Sequence, residues 1–475
     1  MAYRYGNRAQ KEFFPPSIED YVVPDAPVRA YDVMIEALDL GELGIVWDPN
    51  KVGNSSYEPK AMLKLLVYGY SYGVRSSRKL EREANYNVSF MWLLGGLRPD
   101  HKTISEFRRQ NKRALERVLQ QCARMCIKLD LIAGNTLFVD GSKIRADASI
   151  NNSWTQEKCD KRLKKIDKRI EEILSECEKV DQTEQGQSSL VKMKEELQDQ
   201  EVLQAKVNDI LAELNAKEKP SVNTTDSDCT RIHGRQGTHA GYNGQNVVDE
   251  KHGLIVHSDV VNDNNDSGQF ARQIDQANET LEKKCKEACG DAGYANSDEL
   301  KKIDAQGIKV IVPSQKQVRA KKPQPFDKSN FQYDKEKDCY ICPQGQIVKY
   351  RSVEVGRRRK KYHVGGSLCQ ACCYFGVCTT NRIHGRKITR LLNEDVKEKL
   401  ELQYQQAESQ RTYRLRKEKV ELPFGHIKHN LKVSSFLLRG LEGAQAEMSL
   451  FSTCFNMARM ISIIGVPGLL AKLAN

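Results

Sequence analysis

Hydrophobic period changes three times along this chain, and each change sets a different packing problem. Residues 1–130 carry apolar positions at helical spacing. Residues 131–151 then alternate. Thr136-Leu137-Phe138-Val139-Asp140 is β-rich, and Lys143-Ile144-Arg145-Ala146-Asp147 reads as a second strand or a hairpin return. Residues 155–217 go back to helix. Leu163, Ile166, Ile170, Ile173 and Cys177 step by 3, 4, 3 and 4, an a/d seam. The seam stops at Asp181-Gln182-Thr183-Glu184-Gln185-Gly186 and resumes with Leu190, Met193, Leu197, Leu203, Val207, Ile210 and Leu214. Each strip is too short for a long coiled coil, so a self-packed helical hairpin is expected, with a dimerising arm as the alternative.

From about residue 228 the β character returns. Asn246-Val247-Val248 and Leu254-Ile255-Val256 flank a turn at Lys251-His252-Gly253, and Val260-Val261 continue the second strand. Residues 266–287 read as helix, 297–305 as helix and 309–313 as strand. Strand, strand, helix, strand, helix, strand makes an α/β core with a mixed sheet. Residues 314–335 read as a linker, 395–430 as one long charged helix and 442–464 as an apolar one.

The first 130 residues predict several helices. One runs from Val28 to Leu40 with Gly41 as its stop, and one opens at Tyr57-Glu58-Pro59. One starts at Ser76-Ser77, placed as a cap, and one spans about Thr103 to Ile127. Arg75, Arg78, Lys79, Arg82, Lys102, Arg108, Arg109, Lys112 and Arg113 decorate them, a layout like a helix-turn-helix DNA-binding region. The whole chain has 475 residues and a formal charge of +12, from 75 Lys+Arg against 63 Asp+Glu. Basic and acidic residues are interspersed, which suits a protein with basic faces that meet a polyanion. No apolar run reaches the roughly 18 residues of a membrane span. The start lacks an apolar leader core, so it does not read as a secretory signal, and a cytoplasmic location is expected.

Three carboxylates stand far apart in short contexts that display them. Asp140 ends an apolar run before Gly141-Ser142, Asp291 lies in Gly290-Asp291-Ala292-Gly293-Tyr294, and Glu421 lies on the basic helix. Oxygen ligands of this kind suit a pair of hard divalent cations in phosphoryl transfer. Asp147, Asp249, Asp263, His233 and His239 are lesser candidates near the expected strand ends.

Val139-Asp140-Gly141-Ser142-Lys143-Ile144-Arg145-Ala146 resembles the first catalytic-Asp motif of bacterial insertion-sequence transposases of the DDE class. Gly241 to Asp249 is similar to the strand before their second motif, and Gly290-Asp291-Ala292-Gly293-Tyr294 to that motif itself. Tyr413, Arg416, Glu421 and Lys428 resemble the Tyr/Arg/Glu/Lys signature around the third acid. Arg416 lies five positions before Glu421, where the signature has four, and Lys417 fills that slot. The resemblance implies an RNase H-like core over 131–154, 225–320 and 390–475, behind an N-terminal DNA-binding region over 1–130. The helical hairpin (155–224) and a cysteine-rich β segment (321–389) would be insertions. It implies two Mg²⁺ or Mn²⁺ ions held by Asp140, Asp291 and Glu421, with Tyr413, Arg416 and Lys428 positioning phosphates. The expected partners are double-stranded DNA, both element ends and target, and further copies of the chain in a homodimer or higher oligomer. A nuclease without strand transfer and an inactive, retained DNA-binding protein are the alternatives.

The chain has 14 cysteines, and six cluster between Cys339 and Cys378. Cys339-x₂-Cys342 and Cys369-x₂-Cys372 form two knuckles, separated by 26 residues. Four thiolates in two knuckles suit a structural tetrahedral zinc in a small β ribbon, and Cys373 and Cys378 leave the ligand set ambiguous. The basic run Arg357-Arg358-Arg359-Lys360-Lys361 lies between the knuckles, where it can meet phosphates.

Overall fold

The computed structural model describes residues 17–45, 56–181, 187–216, 220–234, 237–319 and 324–473. Pro15-Pro16, residues 182–186 of the polar break and residues 320–323 of the expected linker lie outside them. The chain forms two compact units, each taken here by itself. One comprises Met1–Asp266, Gln273–Cys285 and Lys417–Asn475, the other Ser267–Arg272 and Lys286–Arg416.

The first unit opens with helices. Pro27 at the first turn starts α1 (Pro27–Glu36), which stops short of Leu40. Asp39 then caps a separate short α2 (Leu40–Leu43), and Gly44, at φ +80°, ends it. Gly41 therefore lies inside a helix, and the expected stop moves three residues on. Pro59 starts α3 (Pro59–Ser71), followed by α4 (Ser77–Tyr86), α5 (Val88–Leu93), α6 (His101–Gln110) and α7 (Lys112–Lys128). The helix expected over 103–127 is thus two, split at Asn111, whose amide donates back to Phe107 O at 2.9 Å.

β1 (Thr136–Arg145) is one unbroken ten-residue strand. The Gly141-Ser142 turn expected from the sequence is absent, and Asp140 sits at mid-strand. Gly141 is needed for packing instead: a Cβ there would stand 2.4 Å from Gln245 Nε2 and 2.5 Å from Asp266 Oδ1. After β2 (Ser153–Trp154) come α8 (Gln156–Asp181) and α9 (Gln187–Ala216). Arg169 pairs with Glu196 at 2.8 Å and Gln204 with Asp167 at 2.7 Å, so the helices run antiparallel. Ile166, Val207 and Leu214 bury the seam with Cys159 and Val222, and Leu163, Ile170, Leu203 and Ile210 flank it. β3 (Val222–Asn223) pairs with β2 and closes the base of the hairpin.

β4 (Thr230–Gly234), β5 (Gly237–Asp249) and β6 (Ile255–Val261) follow. β5 is central, pairing antiparallel with β1, β4 and β6, and Asp140 lies opposite Asn246. α10 (Phe270–Leu281) is shorter than the expected helix over 266–287. In place of its end stands a strand that the sequence did not predict, β7 (Glu287–Cys289), in the second unit.

In that unit α11 (Ser297–Asp304) leads to β8 (Lys309–Ile311), parallel to β7, and then to α12 (Gln315–Arg319). The expected linker is therefore partly ordered. β9 (Gln332–Asp334), β10 (Cys339–Ile341), β11 (Ile347–Glu354), β12 (Arg359–His363), α13 (Gly366–Gln370) and β13 (Lys387–Leu391) follow. The five strands form an antiparallel sheet in the order β13-β12-β11-β10-β9, closed over Tyr340, Val348, Tyr362 and Ile388.

The long helix expected over 395–430 is broken twice. α14 (Glu394–Gln405) ends before α15 (Ala407–Gly425), and a π-helical turn, His426–Asn430, follows. Pro423 lies inside α15 and removes one helical donor, and the wider π turn comes directly after it. From Lys417 the chain is back in the first unit. There α16 (Leu441–Ile464) is the core helix: every residue from Gly443 to Met457 is buried, against α7, α3 and β6. α17 (Val466–Leu473) bends away from it by 103°. Among the described residues no single helix is long and apolar enough to cross a membrane. The protein is α/β with a helical N-terminal region and mixed sheets.

Candidate active site

Asp140 and Ser142 lie on one face of β1, because side chains alternate along a strand. That face also carries Phe138 and Ile144, and across the pair Tyr242, Gly244 and Asn246. It faces the core helix: a Cβ on Gly244 would meet Met448 of α16 at 3.3 Å. Asp140 is half-buried. Lys428, in the π turn, donates to Ser142 Oγ at 2.5 Å, which holds an ammonium on the Asp140 face two residues along the strand. Phe436 N donating to Arg145 O at 2.9 Å fixes the chain beyond the turn against the same strand.

Glu421 is exposed on α15, and it lines an open cleft with Glu418, Leu422, Gly425, His426 and His429. Burial lowers the pKa of His426. Lys428 is seven positions after Glu421, two turns on in a regular helix, and the π turn interrupts that spacing. Phe424, between them, is buried and not displayed.

The opposite face of β1 carries a group that sequence reasoning missed. Asp266 Oδ1 accepts from Asn243 Nδ2 at 2.7 Å and Gln245 Nε2 at 2.8 Å, and Lys143 Nζ stands 3.9 Å away. Burial lowers the Lys143 pKa, opposed by Asp266 and Asp263. The available signal was the polar run Asn262-Asp263-Asn264-Asn265-Asp266 directly after β6.

In the second unit Asp291 follows β7, at the carboxyl end of a strand in a parallel pair, where α/β folds commonly seat ligands. It caps the 3₁₀ turn Ala292–Tyr294, its Oδ1 accepting from Gly293 N at 2.7 Å. Tyr413 lies within reach of its charge, and Arg416 stands beside Tyr413. The Arg416 guanidinium lies 5.5 Å from the Tyr413 ring centre. Burial raises the Tyr413 pKa, Arg416 opposes, and the charge of Asp291 adds to the rise.

The lesser candidates have structural work. Asp249 is buried and accepts from Gly134 N at 2.7 Å and Lys251 N at 2.9 Å, tying a turn. Asp147 pairs with Arg439 at 2.9 Å, His233 with Thr238 at 2.8 Å and His239 with Arg145 at 3.0 Å. Of the basic N-terminal residues, Arg108 is buried, donating to Tyr70 Oη at 3.0 Å, Arg75 O at 2.9 Å and Ser77 Oγ. Ser77 thus holds Arg108 and does not cap α4. Arg75 donates to Ser435 O at 2.8 Å, Arg109 binds Glu106, and Arg113 binds Glu442 at 3.2 Å. Arg78, Lys79, Arg82 and Lys102 remain exposed on α4 and α6.

The carboxylates are hard oxygen donors of the type Mg²⁺ takes. Among the described residues no three His, Cys, Asp or Glu side chains stand close enough together to hold a metal ion. The same holds for the expected zinc set of Cys339, Cys342, Cys369 and Cys372.

Residues 16–110 match the model of a transposase domain (DUF772), and residues 341–461 that of a transposase DDE domain. The second match contains Glu421, Tyr413, Arg416 and Lys428, while Asp140 and Asp291 fall between the two. No curated protein and no solved structure matches the chain. With transposase models matching at both ends, the chain belongs to the insertion-sequence transposases of the DDE class.

Proposed function

We propose that this protein cuts the DNA ends of a mobile element and joins them to target DNA, using Asp140, Asp291 and Glu421 as its three acids on an RNase H-like core. The observation that carries the reading is Lys428 on Ser142, which seats the signature lysine of the Glu421 segment on the Asp140 face of β1. The antiparallel β1-β5-β6 meander and the parallel β7-β8 pair are the strand types such a core needs.

Asp140, Asp291 and Glu421 would hold the divalent ions, which when bound activate the attacking oxygen and stabilise the leaving one. The Lys428 ammonium offers a point charge to a phosphate beside Asp140. Tyr413 and Arg416 offer a hydroxyl and a guanidinium beside Asp291, the groups that fix a phosphodiester in one orientation. Half-burial of Asp140 limits competing water on one side of its carboxylate. The exposed cations Arg78, Lys79, Arg82 and Lys102 supply sequence-independent affinity for duplex DNA.

Incubating the full chain with Mg²⁺, a labelled element-end duplex and a plasmid target tests the reading. End cleavage followed by covalent joining of the 3′ end to the plasmid is expected. Cleavage without joining would leave a nuclease, and binding without cleavage would leave a DNA-binding protein.

A further inference from the structure

Four cysteine thiols of the second unit line one small cavity of about 30 Å³: Cys342, Cys369, Cys372 and Cys378. Cys339 does not line it. It sits within β10, paired with Asp334 and Lys349, and its neighbour Tyr340 fills the sheet core. Cys373 is exposed.

The local backbone is built as two turns that present sulfur. Cys342 starts a tight turn in which Gly345 N donates to Cys342 O at 2.8 Å, and Gln346 N then donates to Cys342 Sγ at 3.3 Å. Cys369 and Cys372 close a second turn, Cys372 N donating to Cys369 O at 3.1 Å, and Arg386 N donates to Cys369 Sγ at 3.3 Å. These N–H groups hold each sulfur against its turn, as partners that orient a metal ligand do. Gly385, at φ +64°, lets the chain pass this sulfur: a Cβ there would lie 2.7 Å from Cys369 Sγ. Cys378 completes the ring. Arg386 ties its carbonyl at 3.0 Å and Phe326 O at 2.6 Å, while Phe326 and Tyr374 pack at 5.0 Å and shield the cavity.

A cavity of this size admits one ion or one water, and an apolar wall gives a water few partners. The four thiols do not converge to ligation distance as they stand. Each sulfur hangs on a single rotatable bond, so rotation about χ1 moves it without moving the backbone.

We propose that Cys342, Cys369, Cys372 and Cys378 bind one structural Zn²⁺, with Cys339 and Cys373 outside the ligand set. The ion locks the α13 knuckle to the turn after β10 and so staples a sheet of only five short strands.

Metal analysis of the purified full chain, grown with added zinc, tests this. One zinc per chain is expected, with four thiols that become titratable when a chelator removes it. Replacing the zinc with Co²⁺ should give the strong visible bands of a tetrahedral thiolate complex, a readout that needs no variant. C342S, C369S, C372S and C378S should each lower zinc retention by at least about tenfold, whereas C339S and C373S keep it. The D140N/D291N/E421Q chain should also keep its zinc, which separates this site from the reaction. Absence of stoichiometric metal, disulfides among these four cysteines, full retention in C378S, or zinc loss in a folded C339S would each overturn the proposal.

Discussion

At the residue scale, one buried carboxylate and one exposed ammonium tie helical segments to the rest of the first unit. Glu447 is fully buried on α16 and accepts from Tyr70 Oη at 3.0 Å and from the N–H groups of Leu437 and Leu438. Glu447→Ala strands three donors and should cost about 3 kcal/mol or more in a urea titration. Burial raises the Glu447 pKa, opposed by those donors and Arg75. The folded state therefore holds the proton longer than the unfolded chain. Stability from this group is present below the ordinary value of 4.5 and is lost as pH rises above it. Urea midpoints should show Glu447→Gln gaining on the wild type as pH rises; a gap that does not change with pH would refute the linkage. Lys428 is the second group. Lys428→Ala removes the ammonium from Ser142 and should slow end cleavage about 10–100-fold in single-turnover kinetics. The fold should survive, because Lys428 is exposed.

At the element scale, patterns that repeat locally were legible and patterns that depend on distant partners were not. The seam of α8 and α9 was readable because each helix repeats its own period. Ile166→Ala, at its centre, should cost about 2–5 kcal/mol, seen as earlier proteolysis of the hairpin. The continuity of β1 was hidden because Gly141-Ser142 looks like a turn. Its glycine answers to Gln245 and Asp266, which no local window contains. β7 was hidden because it is only three residues long and follows the charged stretch Lys283–Lys286. Of the two breaks in the last basic helix, the second follows Pro423, which is visible in the sequence, and the first, at Gln406, has no such local signal. Charge counted by element misleads as well, since Arg75 and Arg108 serve the interior. Replacing Arg78, Lys79, Arg82 and Lys102 with Ala should reduce the slope of log K against log[salt] for duplex DNA by about 0.9 per lost phosphate contact. The same change at Arg113, already bound to Glu442, should leave it nearly unaffected.

At the scale of the whole molecule, the residues of the proposed reaction are divided between the two units. Asp140, Glu421 and Lys428 belong to the first, and Asp291, Tyr413 and Arg416 to the second. The family was legible from the sequence, and transposase models match residues 16–110 and 341–461. The sequence could not show which cysteines share a cavity, because Cys378 joins Cys342 through folding and Cys339 leaves with its strand. The central claim is that three acids from different parts of the chain serve one reaction. Mg²⁺-dependent cleavage of an element-end duplex, measured for Asp140→Asn, Asp291→Asn and Glu421→Gln beside DNA binding, tests it most directly. The account predicts that each variant binds DNA as the wild type does and loses at least about 100-fold in cleavage rate. Cleavage at the wild-type rate by any one of the three would contradict it.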